Sequence, residues 1–402
     1  MNNEQEKLNT SPDEVARLEA EFAQKRTSRN KRTLILRAVI ITVLVSILAA
    51  IVYFSVHYRD KLDPESLRSY VNIRSGSALN TLGGAADVVG GNSSVYGAFE
   101  NGLAVASTTS VRYATPDGKQ GFSHEAVLSE PSLAVNSDYL LAYDRSGKTL
   151  MLFDRNGLIS SAEAAGEIIS ATVSPEGVTT VVSEADNYIS CLTVYNKKFE
   201  QLYRWYNSEY YVISSAYHDD SLTCGVSVVY REEGNLAGRV LLFDITREGI
   251  AHVVETGLNT PIELWATESG FTVSTDKGVA FVDISGELSA THNFSDPIYS
   301  FCPDGNGGLF VVLSPFSPDE KYTLVHVNSD GILSRRVSVN TDIFAVHSGS
   351  GYLGILSGKD VTVYNTSLDA VRIISTEPDI INIAVMRDGL VVLFSNDGLK
   401  VR

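Results

Sequence analysis

The sequence predicts an all-β protein: an eight-bladed β-propeller, with seven blades as the alternative count, behind one transmembrane helix. Three observations carry that reading. A strand-and-turn signature recurs at intervals of about forty residues. Each interval holds four short apolar runs separated by Gly, Asn, Asp, Ser or Pro. The stretch Ala38–Val56 carries no charge, and at about 1.5 Å per residue it spans roughly 28 Å, the hydrocarbon thickness of a bilayer.

The signature is a strand ending in an aromatic residue or Val, then Asp or Asn, then a turn. It occurs at Asp154, Asn196, Asp244, Asp283, Asn328 and Asn365, with a weaker copy at Ala114. The cause is local: the Asp or Asn side-chain oxygen accepts from its own turn backbone, and a following Gly supplies a positive φ. The unit from Ile343 shows all four strands, IFAVHS, YLGILS, DVTVYN and AVRIIS. Units start near Ser94, Ser132, Ile169, Val212, Ile262, Ile298 and Ile343, and an eighth starts at Ile380. One such unit is marginal alone and buries its faces only against neighbours, which implies a ring. The eighth unit stops after three strands. Ser69–Arg74, SYVNIR, is an isolated strand-like segment ahead of a Gly-rich linker. It is expected to complete that blade, so that no sheet edge stays open.

Residues 1–37 read as a cytoplasmic tail, 38–56 as an uncleaved signal-anchor, 57–68 as a stalk and 69–402 as an extracytoplasmic propeller. Lys25, Arg26, Arg29, Lys31, Arg32 and Arg37 precede the apolar stretch and outnumber Arg59, Lys61 and Arg68 after it. The positive-inside rule then keeps the N-terminus in the cytoplasm and exports the rest. A cleaved signal peptide would need a far shorter basic region and a small-residue cleavage site. The expected location is the bacterial cytoplasmic membrane, single-pass, with lipid around Ala38–Val56. In the tail, Ser11 caps a helix start ahead of Val15, Leu18 and Phe22, and a solvated tail is the competing reading.

Net charge is −16. The first 37 residues hold eight Lys/Arg and six Asp/Glu, which leaves −18 for the remainder. A domain this acidic repels phosphate backbones, so nucleic acid is not an expected partner. Cys191, Cys224 and Cys302 lie in apolar runs without zinc spacing. Buried free thiols are expected, and a Cys191–Cys224 disulfide is the other reading.

Catalytic motifs are missing: the chain has no HExxH, GxSxG, phosphate loop or calcium loop. His124, His218, His252, His292, His326 and His347 fall in different units. Inner strands such as ISATVS and VISSAY are apolar and small, with Glu263 the one inner-strand carboxylate of note. No catalytic residue, metal or cofactor is assigned, and the protein is expected not to be an enzyme. The most distinctive stretch is Tyr203–Tyr217. Tyr203, Arg204, Trp205, Tyr206, Tyr210 and Tyr211, with Trp265, are the candidate ligand- or partner-binding residues, because aromatic faces stack on sugars and anchor protein partners. Packing between blades is the competing reading. The two longest insertions, Arg231–Gly238 and Ser314–Lys321, both join the second strand of a unit to its third. They therefore share a face with the fourth-to-first connections, and long decorated loops are where binding tends to live.

The run YLLAYDRSGKTLMLFDRNG, continuing through ISATVSPEGVTTVVSEADNYISCLTVYNKKFEQLYRWYNSEYYV, resembles a family of Gram-positive bacterial membrane-anchored propeller proteins catalogued as a domain of unknown function. The resemblance covers roughly residues 65–402. It implies fold and topology, and no activity. More distantly the units resemble WD40-like and quinoprotein-like propellers, although two tryptophans are too few for quinone chemistry. Three functions stay open at this point. They are a protein-interaction scaffold at the cell envelope, a carbohydrate- or peptide-sensing module, and a hydrolase with a concealed site. The face without insertions is expected to look at the membrane.

Overall fold

The computed structural model describes Arg74–Ser75 and residues 94–401, apart from 101, 116–119, 137, 233–234, 258–259, 318–319, 377–379, 387–388 and 396–397. Strands follow one another in chain order as antiparallel sheets. Seven blades have four strands each: residues 95–125, 131–163, 168–207, 211–254, 261–293, 298–339 and 343–375. An eighth sheet, residues 380–401, has three. The strands of a blade are named a to d from the axis outward. The fold is a β-propeller.

Burial follows position in the blade. Middle strands such as Leu140–Asp144 and Leu309–Leu313 are buried throughout, because a neighbouring blade covers each face. Outer strands such as Leu288–Asn293 are largely exposed. Adjacent blades share apolar layers, for example Leu192, Val194 and Tyr203 of blade 3 with Cys224, Val226 and Phe243 of blade 4. The eighth sheet lies between the seventh blade and the first. Ile383, Val385, Val391 and Leu393 pack on Leu356, Val361 and Val363, while Ala384, Val392 and Phe394 pack on Tyr96, Leu103 and Val105. The Tyr96 and Phe394 rings meet edge-on at 5.3 Å.

The recurring Asp/Asn turns form as expected. Asp154, Asn196, Asp244, Asp283 and Asn328 each accept, through Oδ1, the backbone N–H two residues on, at 2.8–3.1 Å. Asn365 Oδ1 accepts from the Asp369 N–H at 2.9 Å. A second repeat was not anticipated. The a strands of blades 3–7 and of the eighth sheet each carry a bulge at their start, between Ile168 and Ser170 or its equivalent. The extra residue breaks the alternation locally; it is buried at Ile213 and Ile262 and exposed at Phe344.

At the end carrying the a–b turns, polar bonds join blade to blade. Asn136 Nδ2 donates to the Ser174 carbonyl at 2.6 Å, and Ser174 Oγ donates to Asp219 Oδ1 at 2.6 Å. His218 Nε2 pairs with the Glu268 carbonyl at 3.2 Å, and Thr272 Oγ1 donates to the Gly307 carbonyl at 2.6 Å. Gly351 N donates to the Asp304 carbonyl, and Val385 N to His347 Nδ1 at 2.9 Å.

Three expectations change or fall away. Arg74, the end of the proposed closing strand, does not edge the eighth sheet. Arg74 and Ser75 pair in parallel with Ser300 and Phe301 on strand a of blade 6, where the strand's axial edge offers unpaired backbone groups; Ser69–Ile73 lie outside the described residues. The three cysteines are free and buried, so the disulfide alternative does not hold. Residues 231–232 and 235–238 of the first insertion are strand rather than loop, as described below. The tail, Ala38–Val56 and the stalk lie outside the described residues. Among the described residues no helix is long and apolar enough to cross a membrane.

Candidate interaction face

Strands b and c of blade 4, Thr223–Glu232 and Asn235–Asp244, are the longest of the described strands. They pair without interruption out to Glu232 opposite Asn235. Their flanking strands stop earlier, at Tyr211 opposite Val229 and at Val254 opposite Val240. Three rows, at Tyr230, Arg231 and Glu232, therefore stand clear of the sheet, an arm of about 10 Å. The run VSVVYREEGNLAGRVLLF explains it: β-branched residues flank a Gly-containing turn at even spacing, a hairpin signal.

The foot of the arm is fixed by Arg239. Its guanidinium lies 3.9 Å from the Tyr230 ring centre and 5.9 Å from that of Tyr210. It donates to the Tyr230 hydroxyl and forms a 2.9 Å ion pair with Glu255. Burial opposes the charge, but Tyr230 and Glu255 outweigh it and hold the guanidinium above its ordinary range. Tyr210 meets Tyr230 edge-on at 5.8 Å.

The predicted aromatic residues divide among separate places. Tyr203 and Trp205 turn inward. Their rings lie 5.9 and 4.8 Å from Phe243, a fully buried residue of blade 4, so the packing reading applies to them. The Tyr203 hydroxyl donates to the Gly249 carbonyl at 3.4 Å. Arg204 and Tyr206, of opposite parity on the same strand, turn the other way. Tyr206 is 47% exposed and stacks at 4.9 Å on Tyr188, also 47% exposed. Arg204 is half-buried; burial disfavours its charge, and the Tyr206 hydroxyl is first among the groups that outweigh this. Tyr210 belongs to the arm's foot. Tyr211 is half-buried at the head of strand a of blade 4. Tyr217 is buried, and desolvation pushes its hydroxyl up to about 12. Trp265 is half-buried in blade 5 against the core shared with blade 6, away from the others. Glu263 is half-buried on the same strand.

The second insertion, residues 314–321, is tied down at both ends. Ser314 N donates to the Pro297 carbonyl at 2.8 Å. Lys321 Nζ donates to Asp342 Oδ1 at 2.9 Å, and Glu320 Oε1 accepts from Thr323 Oγ1 at 2.7 Å and from Ser338 Oγ. Between these ties Phe316 is 94% exposed. Phe344, the bulge residue of the next blade's strand a, is 57% exposed. Beside it Tyr299 donates to the Ile343 carbonyl at 3.3 Å and meets Tyr322 edge-on at 5.0 Å.

Both insertions lie at b–c connections and share one face with the d–a connections. Glu130, Glu167, Glu209, Glu255, Asp296 and Asp342 each occupy a different d–a connection, and the last one, residues 376–379, reads TEPD. No Lys or Arg occurs in any of them. Sequence reasoning missed Tyr188, Tyr230, Arg239, Phe316 and Phe344. Pro315-Phe316 in an insertion was the available signal for one; the others depend on long-range pairing. The acidic segment at Asp304 is a turn: Asp304 Oδ1 accepts from the Asn306 and Gly308 N–H groups at 2.7 and 2.9 Å. Among the described residues, no group of three His, Cys, Asp or Glu side chains could hold a metal ion.

A family model described as a family of unknown function, DUF5711, matches residues 85–366. The chain belongs to that family. In this DUF5711 member the matched part runs from just before blade 1 to the end of strand c of blade 7. No curated protein matches. Among solved structures it is similar to a computationally designed protein, Ika8, at 13% identity and TM-score 0.54, covering 76% of this chain and 94% of that one. The C-terminal WD40 domain of Sif2 has 12% identity and TM-score 0.52, with 82% and 98% covered. BamB from Moraxella catarrhalis has 14% identity and TM-score 0.50, with 76% and 94% covered. At these identities the likeness concerns the fold alone.

Proposed function

We propose that the chain is a non-enzymatic scaffold, anchored in a Gram-positive cytoplasmic membrane by Ala38–Val56, whose propeller stands outside and holds a protein partner. The ring counts eight blades, the three-stranded sheet between blades 7 and 1 being the eighth. The arm at blade 4 carries this reading. A paired hairpin that leaves its sheet does not stabilise the ring it leaves. The stack of Arg239 on Tyr230 and Tyr210 holds it rigid, and rigidity favours binding by lowering the ordering cost.

The test uses the full chain in its own membranes. Replacing residues 231–236 by a two-residue turn should abolish chemical cross-links to a protein partner without changing the melting temperature. Unchanged cross-links would overturn the role of the arm. Protease added to intact cells should cut the arm; protection there would overturn the topology.

The exposed Tyr188–Tyr206 pair favours a second reading, binding of envelope carbohydrate, since paired exposed rings suit sugar faces. Glycan binding lost in Tyr206→Ala would support it. Trp205→Ala is a poor probe, because Trp205 packs on Phe243.

A further inference from the structure

We infer that the open outer edge of the three-stranded sheet takes an extended, acidic segment of the partner protein as its fourth strand. The inference rests on the scaffold reading and names the place and the chemistry of what is held.

The sheet of residues 380–401 ends at Gly398–Val401, and among the described residues no strand lies beyond it. Blades 7 and 1 pack on its two faces. Each of them has a fourth strand, Ala370–Ser375 and Gln120–Glu125, which stands one layer further from the axis than Gly398–Val401. The result is a slot one strand deep, about 4.8 Å. Its floor is a strand edge with unpaired backbone donors and acceptors, the template for strand addition.

Register fixes what lines the walls, because directly opposed residues of neighbouring strands share a face. In blade 1, Arg112 lies opposite Val105 and Ser123, and Val105 packs on Val392 and Phe394 of the sheet. In blade 7, Arg372 lies opposite Val363, which packs on Ile383 and Leu393. Arg112 and Arg372 therefore look at the slot from opposite sides. Both are exposed, and among the described residues neither forms an ion pair. The middle of the third strand is buried in blades 2, 5 and 6; in blade 1 it is uncovered at Arg112, beside the missing strand. Glu125, at the end of its strand, is the carboxylate on the same face as Arg112, and Lys400 lies on the floor strand.

Charge and alternation select the occupant. Successive side chains of a strand point to opposite faces. A strand in the slot thus reaches both arginines with carboxylates at odd spacing, such as two adjacent Asp or Glu residues. A second copy of this chain does not offer this, since none of the seven fourth strands carries two carboxylates. The chain's own residues 76–93 hold one carboxylate, Asp87, which serves one wall only. A partner segment with two serves both, its backbone pairing with the floor and its carboxylates with the arginines.

A photo-reactive amino acid at Ser123, beside Arg112, tests this in the full chain in native membranes, with the same group at Leu236 in the arm as the reference. The expected adduct at 123 maps to a segment of the partner protein with Asp or Glu at odd spacing. Its yield should fall about threefold in Arg112→Gln and in Arg372→Gln, and about tenfold in the double variant. Arg112→Lys with Arg372→Lys should keep most of it. The melting temperature should stay at that of the parent in all of them, because both side chains are exposed. An adduct to this chain itself, to a second copy, to lipid or to a segment without that spacing overturns the inference, as does a yield unchanged in the double glutamine variant. So does an empty position 123 alongside adducts at 236, which leaves the scaffold reading intact. Empty positions at both sites would sink both.

Discussion

Blades 4 and 6 carry their insertions at the same connection, yet one zips into an arm and the other stays a tethered loop. Composition accounts for the difference. Residues 226–240 hold no proline and so keep a backbone donor at every position, and the strands keep pairing after the sheet has ended. The blade 6 insertion holds Pro315 and Pro318; neither can donate to a ladder. Blade 4 consequently hides most of its aromatic surface in its foot and its joint with blade 3. Blade 6 buries Phe301 and Phe310 and holds Phe316 outward.

The largest expected effect lies under the arm. Phe243 is fully buried and supports both Tyr203 and Trp205. Phe243→Ala should cost about 3–5 kcal/mol by denaturant unfolding. A loss below about 1 kcal/mol would mean that the arm does not stand on the core.

Next comes pH, at the joint between blade 7 and the three-stranded sheet. His347 is buried and accepts from Val385 N, which requires a neutral imidazole. Burial lowers its pKa to about 4. The unfolded chain, near 6.5, then binds more protons at intermediate pH. Stability from this residue is complete above about pH 6.5 and declines as pH falls towards 4, by about 3 kcal/mol in all. His347→Gln should flatten that decline, and melting curves at pH 7 and 5 would detect it; an unchanged slope would remove His347 from the account.

The two anchoring cations should differ in strength. Arg239→Ala removes a half-buried stack and ion pair and should cost about 1–2 kcal/mol, with the arm becoming open to proteolysis. Lys321→Ala removes an exposed pair, 50% and 67% accessible, and should cost less than about 0.5 kcal/mol. Equal costs would erase the contrast. The smallest effect belongs to Phe316→Ala, whose stability should stay within about 0.5 kcal/mol of the parent.

Much of the fold was legible because it is local. Blade starts at Val95, Pro131, Ile168, Tyr211, Pro261, Ile298 and Ile343, and the start of the three-stranded sheet at Ile380, fall within a residue or so of the sequence reading, since turn chemistry repeats in the chain itself. The candidate site was less legible. Parity separates Tyr203 and Trp205 from Arg204 and Tyr206 in any strand, but which side meets a neighbour depends on a blade distant in sequence. Likewise Arg239 finds Tyr210 and Glu255 only after the sheet has formed. The fate of Arg74, bound at the axis rather than at an outer edge, follows no local rule.

The joint between the last sheet and the first blade also bears on how the molecule comes together in time. Every other joint links blades that follow each other along the chain, so each can form soon after its two hairpin sets exist. The Tyr96–Phe394 contact must bring together the two ends of the whole ring. The entropy of closing so long a loop is met late and in one step. Ring closure is therefore the step at which folding is expected to be slowest, and weakening this joint in Phe394→Ala should slow refolding more than a matched change within one blade.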